Sequence, residues 1–340
     1  MADARTASVV VCAFASERCE QTVRCVTSVL AQRPAPVQVI VVVDHNEDLR
    51  AKLRESLPAA VDVVVNPGEP GLSSARNTAL GLARGEIVAF IDDDAVAHPT
   101  WLARLLAAFD DPMVMGAGGH ALPAWQDARP GWFPPEFLWV VGCSYVGLPS
   151  AGAVRNPLGC NMAFRAAAFE RAGLFDPGIG RLGSRPLGCE ETEFCVRAAR
   201  IDPNAAFVMV AGAEIDHDVP AERCRPSYLL RRCYYEGISK ALVRMLGDTR
   251  SLDTERAYVR RVLPARLVRA CRSAFTGPQR LGALGQLAAV IGGLAAAAAG
   301  YATGSVEFRL RPPRTSPPGL QAADISPASL RPGEASAMPD

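Results

Sequence analysis

Apolar and polar positions over the first hundred residues switch between two periods. Ser8–Phe14 (SVVVCAF) is an unbroken apolar run, the pattern of a strand buried on both faces. Glu17–Gln32 instead carries Cys19, Val23, Val26, Val29 and Leu30 at helical spacing. Val37–Val43 (VQVIVVV) predicts a second buried strand that stops at Asp44, Asp48–Leu57 a helix ended by Pro58, and Val61–Val65 a third strand. Gly71–Arg84 (GLSSARNTALGLAR) predicts a helix entered through a glycine and two serines and left at Gly85. Glu86–Ile91 (EIVAFI) predicts a fourth strand running straight into Asp92, Asp93 and Asp94. Strands alternating with helices imply an α/β fold: a Rossmann-like, mostly parallel sheet with helices on its faces and right-handed crossovers.

Downstream, the segment from Pro112 is rich in Gly, Pro and aromatics, and predicts irregular loops and short strands that wall a cleft. Glu190–Ile201 resumes helical spacing and opens with three carboxylates in its first turn, while Phe207–Val210 and Ala213–Asp216 predict two short strands, the second ending at His217. Cys224–Leu246 and Glu255–Phe275 predict helices, the latter carrying Arg256, Arg260, Arg261, Arg266, Arg269 and Arg272 among apolar residues. Leu281–Ala302 is an Ala/Gly/Leu run, and Pro312–Asp340 has the Pro/Ser/Ala-rich composition of a disordered tail. The predicted organisation is an α/β domain over 1–222 in two halves (about 8–111 and about 112–222), then a helical extension (223–304) and a tail (305–340). No internal repeat occurs.

Composition changes this picture little. Hydrophobic residues make up 49% and charged residues 21% of 340, an ordinary globular balance with ample core. A net charge of +1 gives no basis for a nucleic-acid partner. Ten cysteines show no CxxC pair and no Cys/His spacing of a zinc site, and Cys12, Cys25, Cys160 and Cys195 sit in apolar runs. Met1 to Ser8 is polar, with no apolar leader core. Together these features predict reduced, buried thiols in a cytoplasmic protein.

In a parallel α/β sheet, ligands bind outside the carboxyl ends of the strands. The polar residues expected there are Asp44, the Asn66–Gly71 loop and the Asp92–Asp94 triplet. Acids placed directly after buried strands are costly unless something binds them. Adjacent carboxylates raise one another's pKa unless a cation relieves them, although a solvated acidic turn capping the helix near Pro99 is the plain alternative. Glu190, Glu191 and Glu193 offer a general base, or else only partners for a helix dipole. Arg76, at a helix start, suits an anion, or is an ordinary surface arginine. His217, between Asp216 and Asp218 at a strand end, is a third metal ligand or a structural histidine. His45, His98 and His120 have no comparable placement.

The runs VVVCAF, VVVDHNED and PGLSSARNTALGLARGEIVAFIDDDA, in that order, resemble the nucleotide-binding half of the family-2 glycosyltransferases, which adopt the GT-A fold. LGCNMAFR and GCEETEFCVRA resemble the acceptor-side half, so that the resemblance covers about Ser8 to Leu246. It implies inverting transfer of a sugar from a UDP- or GDP-linked donor to a hydroxyl, with Mg²⁺ or Mn²⁺. By the same resemblance, Asp44 contacts the nucleobase or ribose, Arg76 and Asn77 the nucleotide or diphosphate, and Asp92 the ribose. Asp93 is placed on the donor side, Asp94 and His217 hold the metal, and Glu191 is the base, kept ionised by its helix N-terminus. Asn161, Glu190 and Trp132 fall on the acceptor side. Ala13 and Phe14 stand where many relatives carry Thr or Pro and a Tyr, which leaves the nucleobase open. The processive relatives' Q-x-x-R-W is absent, which points to a single addition. WFPPEFLWVVGCSYVGLP, VRNPLGCNMAFR and RRCYYEGISKALV are similar to the glucosyl-dolichyl phosphate glucuronosyltransferase subgroup, implying a polyprenyl-phosphate-linked acceptor; hexose and hexuronate donors both stay open.

The arginine-rich helix beside Leu281–Ala302 points to peripheral attachment at the cytoplasmic membrane face. The run is long enough to span but only marginally apolar, and a hairpin packed on the catalytic domain is the alternative. Two other functions compete. A nucleotidyltransferase wants a glycine- and lysine/arginine-rich loop after the first strand, and Ala15-Ser16-Glu17-Arg18 is not one. A non-catalytic, membrane-associated nucleotide-sugar-binding module predicts loss of the acids, yet Asp92, Asp94, Glu191 and His217 are all present.

Overall fold

The computed structural model describes residues 5–181, 186–246, 252–276 and 280–310. The nucleotide half is built as its periodicity predicts: β1 (Ala7–Ala13), α1 (Cys19–Leu30), β2 (Gln38–Val43), α2 (Glu47–Ser56), β3 (Val61–Val65), α3 (Leu72–Leu82) and β4 (Ile87–Asp92). All six residues of β2 are buried, as a strand covered on both faces requires. Val9, Val11, Val39 and Val41 pack on one face with Val26, Val29, Leu49 and Leu53 from α1 and α2. Val10, Ile40 and Val42 point to the other, against Ala75 and Ala79 of α3 and a cluster of phenylalanines.

The remaining elements up to residue 219 are β5 (Ala95–Ala97), α4 (Trp101–Ala108), β6 (Val114–Trp125), β7 (Gly152–Ala153), β8 (Asn161–Arg165), α5 (Ala166–Ala172), α6 (Glu190–Ile201) and β9 (Ala206–Val219). One sheet runs in the order β3-β2-β1-β4-β8-β6-β9-β5, with β7 paired to β9. The pairs among β1–β4 are parallel. From β8 onward the sheet is mixed: β8 is antiparallel to both β4 and β6, and β6 is parallel to β9.

Two departures from the sequence reading share a cause. The segment after Pro112 holds a 12-residue strand, β6, rather than only short pieces. Its run MGAGGHALPA lacks the β-branched residues that mark a strand. The glycines are there because neighbours come close: a Cβ at Gly116 would lie 2.6 Å from the Phe164 ring, and one at Gly119 would collide with the Ala213 carbonyl. Likewise β9 is one 14-residue strand, not two, and passes through Gly212 at φ +77° without ending.

Beyond β9 come α7 (Pro226–Leu246), α8 (Asp253–Ala257), α9 (Leu263–Thr276) and α10 (Arg280–Leu310). A π-helical turn at Tyr258–Val262 joins α8 to α9, so the helix expected over 255–275 exists with one wide turn. α10 passes residue 304 and reaches Leu310; the rest of the expected tail lies outside the described residues. Gly237 of α7 rests against the Ala297 backbone, and Gly300 of α10 against the Tyr234 backbone, a crossing that side chains would forbid. Phe133, Phe137, Val140 and Val141 pack with Leu229, Cys233, Leu263 and Val290, so the helices are docked on the catalytic domain. All ten cysteines are free, six of them buried.

Candidate active site

Register brings the predicted residues to one edge. Ala13 pairs with Val43 and Cys12 with Asp92, so the ends of β1, β2 and β4 stand side by side. Ile91 pairs with Asn161, which puts Gly159 and Cys160 at the same edge. Ala95 pairs with His217, and the Asp218 amide donates to the Asp94 carbonyl at 2.8 Å, which carries a histidine over a hundred residues away to the acidic triplet.

The triplet is not a solvated turn, because Asp93 and Asp94 are 5% and 4% exposed. Asp94 is surrounded by Arg223 at 3.1 Å, Arg18 at 3.2 Å and His217 Nε2 at 3.3 Å. Asp93 accepts from Arg18 at 2.9 Å. Asp92 lies 3.8 Å from Arg76 and 3.9 Å from His217. Burial, with the charges of Asp94 and Asp92, pushes the Asp93 carboxyl up to about 7 in spite of Arg18. Burial would raise Asp92 too, but the neighbouring His217 and Arg76 hold it down to about 2. For His217, burial works against protonation, and Asp94 and Asp92 overcome it to bring the imidazole up to about 10. Ligand atoms of Asp92, Asp94 and His217 all lie within 4.8 Å of one another.

Along the donor edge, Asp44 Oδ1 accepts from Asn66 at 2.7 Å and Oδ2 from the Gly71 amide at 2.9 Å. Asn66 is the residue the sequence reading placed in a loop without a role. It is 1% exposed, and its Oδ1 also accepts from Gly68 N, Ser74 Oγ and Thr78 Oγ1. It ties Asp44 to the start of α3. The signal available in sequence was an asparagine directly after the third strand. Ala13 is buried, while Phe14 is 60% exposed beside this edge.

Arg76 is no surface arginine. At 2% exposure it donates to Glu190 Oε1 and to the Gly159 carbonyl, each at 2.8 Å, between the rings of Phe90 and Phe175. It therefore links Asp92 to the first turn of α6. Glu190, expected toward the acceptor, is buried as the counter-ion of Arg76, with Oε2 unpartnered among the described residues. Glu191 is half-buried, accepting from Asn156 at 3.4 Å and Thr192 at 3.2 Å. Burial and the Glu190 charge push its carboxyl up to about 7. Burial and Glu190 together outweigh Lys240, a backbone hydrogen bond and Arg76, which favour the ionised form.

Three expected contacts are corrected. Asn77 spends its amide on the backbone of Phe175 in both directions, at 2.8 and 3.0 Å, and so braces a loop instead of reaching toward the donor edge. Asn161 is fully buried, accepting from Trp101 Nε1 and donating to the carbonyls of His120 and Ala213, so it stitches β8 to its neighbours and has no free face for an acceptor. Trp132 lies tilted against Phe133, with ring centroids 5.4 Å apart, and covers Gly285 of α10, which makes it part of the helix-docking core.

Fold and site together define a glycosyltransferase of the GT-A type. A family model described as glycosyl transferase family 2 matches residues 8–173. Over 301 residues the chain is 31% identical to the glucosyl-dolichyl phosphate glucuronosyltransferase of Haloferax volcanii, across 87% of this chain and 95% of that protein. The chain belongs to the family-2 glycosyltransferases. Among solved structures, its fold matches the mannosyltransferase PcManGT from Pyrobaculum calidifontis in complex with GDP-Man and Mn²⁺, with TM-score 0.57 and 20% identity over 91% of this chain and 88% of that one. It also matches GalNAc-T7 with UDP, GalNAc and Mn²⁺, with TM-score 0.51 and 18% identity over 77% of this chain, which spans 57% of that one.

Replacing Arg76 with alanine would leave Glu190 charged, buried and unpaired. Unfolding by denaturant should show a loss of about 3–5 kcal/mol, the usual cost of breaking a buried pair. A variant as stable as the parent would contradict the pairing.

Proposed function

We propose that the chain is a metal-dependent, inverting transferase that moves a hexose or hexuronate from a UDP- or GDP-linked donor to a hydroxyl of a polyprenyl-phosphate-linked acceptor. The observation that carries this reading is the Arg76 bridge, which sets the Asp92–Asp94–His217 cluster and Glu191 in one site. Two converging carboxylates and an imidazole, with Asp94 and His217 buried and Asp92 half-buried, fit a hard divalent ion such as Mg²⁺ or Mn²⁺. When bound there, the ion would supply positive charge to the departing diphosphate.

The chain's own residues account for the other steps. Asp44, fixed by Asn66 and Gly71, receives the nucleoside, with Ala13 and the exposed Phe14 beside it. Arg76, Asp92 and Asp93 border the donor. Glu191 accepts the proton of the acceptor hydroxyl as its oxygen bonds to the anomeric carbon. The bond from that carbon to the diphosphate oxygen breaks on the opposite face, so the configuration inverts. A carboxyl poised near 7 suits this task, being both present as carboxylate and basic enough to take the proton.

The docked helices support a membrane-facing role. α10 is long and apolar enough to cross a membrane by length and composition, yet it packs along α7. Its Leu281, Leu284, Ile291 and Leu310 are exposed, as are Arg260, Arg261 and Arg272 nearby in the chain. That pairing of apolar and cationic groups fits peripheral attachment to an anionic bilayer at the cytoplasmic face, where a lipid-linked acceptor is presented.

Measurements on the base, the metal site and membrane binding test these points. Because the base must be ionised, transfer should fall about tenfold per pH unit below about 7 and level off above it, and Glu191→Gln should lose roughly 10²–10⁴-fold in kcat while still binding donor. A flat profile, or an active Glu191→Gln, would remove Glu191 as base. Chelation by EDTA should abolish turnover, and Asp94→Asn should weaken Mn²⁺-dependent UDP or GDP binding in calorimetry on the order of tenfold or more. Full turnover in EDTA would sink the metal assignment. The protein should co-sediment with vesicles containing anionic lipid and be released by high salt, and failure to bind them at low ionic strength would refute attachment.

A further inference from the structure

The chemistry above leaves unused a second ionisable group of side chains next to Glu191. Asn156, whose Nδ2 lies 3.4 Å from Glu191 Oε1, accepts from Arg155 Nε at 2.8 Å through its Oδ1. Arg155 Nη1 donates to Glu255 Oε2 at 2.7 Å. The other oxygen of Glu255 meets Lys240 Nζ at 3.0 Å, and Lys240 also pairs with Glu236 at 2.9 Å. Lys240 then reaches Cys189 Sγ at 3.4 Å, and the neighbouring Ser239 Oγ accepts from the Gly188 amide at 3.1 Å.

Gly188 and Cys189 are the two residues that lead into α6. Cys189 is its N-cap and sits at φ +77°, a conformation that costs a residue with a side chain and needs holding in place. Glu255 therefore touches both supports of the base at once: Arg155, which orients Asn156, and Lys240, which grips the N-cap. Burial alone would raise the Glu255 carboxyl, but Lys240 and Arg155 hold it down to about 2, so it is ionised at every working pH.

We infer that Glu255 is a positioning residue for proton transfer, clamping Arg155 and Lys240 so that Asn156 and the α6 N-cap hold the Glu191 carboxylate in place. The inference rests on Glu191 being the base. It gives the helical extension a part in catalysis, since Glu255 and Lys240 belong to α8 and α7.

The charged groups facing Glu191 are Glu190, Arg76, Lys240 and Arg155, with Glu236 and Glu255 behind them. Removing Glu255 takes away a negative charge and leaves Lys240 and Arg155 less compensated, which favours ionised Glu191. Removing Asn156 takes away a donor to that carboxylate, which disfavours ionisation. The full-length variants Glu255→Ala and Asn156→Ala should each lower kcat on the order of 10- to 100-fold, the cost of a misplaced base, with nucleotide–Mn²⁺ affinity within about twofold of the parent. Their acid limbs should move in opposite directions, to lower pH for Glu255→Ala and to higher pH for Asn156→Ala. Glu255→Gln, which keeps the shape, should show the limb shift with a smaller loss of kcat. Unmoved limbs with kcat within twofold of the parent would overturn the inference. Equal losses of kcat, nucleotide affinity and thermal stability would overturn it too, since that pattern marks general loosening. If Glu191→Gln is itself fully active, the base assignment has failed. If it is inactive while Glu255→Ala and Asn156→Ala behave as the parent, only the positioning role has failed.

Discussion

The arrangement of this site depends on one buried cation. Arg76 has almost no contact with solvent, so its desolvation must be offset by the groups around it. Those groups come from separate parts of the chain: Asp92 at the end of β4, Gly159 before β8, Glu190 at the start of α6, and the rings of Phe90 and Phe175. Apolar packing alone would allow α6 to slide against the sheet at modest cost. Charge neutrality does not, because any displacement leaves either a guanidinium or a carboxylate unpaired. Glu191, one residue on from Glu190, inherits its position from that pairing. The same pairing separates the two carboxylates by role, since Glu190 is occupied by Arg76 while its charge helps raise the pKa of its neighbour.

Much of the fold could be read from sequence wherever burial imposes a period. β1, β2 and β4 lie between two helical layers, so their central positions are apolar and the acids at their ends stand out. β6 escaped because its neighbours approach too closely for side chains, and the glycines that permit this resemble those of a loop. At the site, the residues identified correctly as neighbours (Asp92, Asp94, His217) are those whose charge is expensive without a partner. Asn77 and Asn161 misled for the opposite reason. A neutral amide near a site can face a ligand or brace distant backbone, and the partners that decide it, Phe175, His120 and Ala213, are remote in sequence. Asn66 was passed over on the same grounds, although its hydrogen bonds hold Asp44 in place.

The helical extension looks in sequence like an appendage, yet its charges enter the site. Arg223, just before α7, bonds to Asp94 and to the Val141 carbonyl. Glu136, in the turn of 3₁₀ helix at Pro135–Val141, is buried against Arg266 and Arg269 of α9. Gly142, at the end of that turn, lies against the His217 ring, where an added Cβ would come within 3.0 Å of it. The arginine-rich helix, which sequence alone presents as a lipid-facing surface, thus spends two of its arginines on a buried carboxylate that anchors the wall beside the acidic cluster. A buried glutamate needs that compensation whether or not a membrane is near, so the helix is tied to the catalytic domain by electrostatics as well as by apolar contact. In the attachment proposed above, the exposed Arg260 and Arg261 would meet the lipid, and a bilayer bound there would be held in register with the acidic cluster.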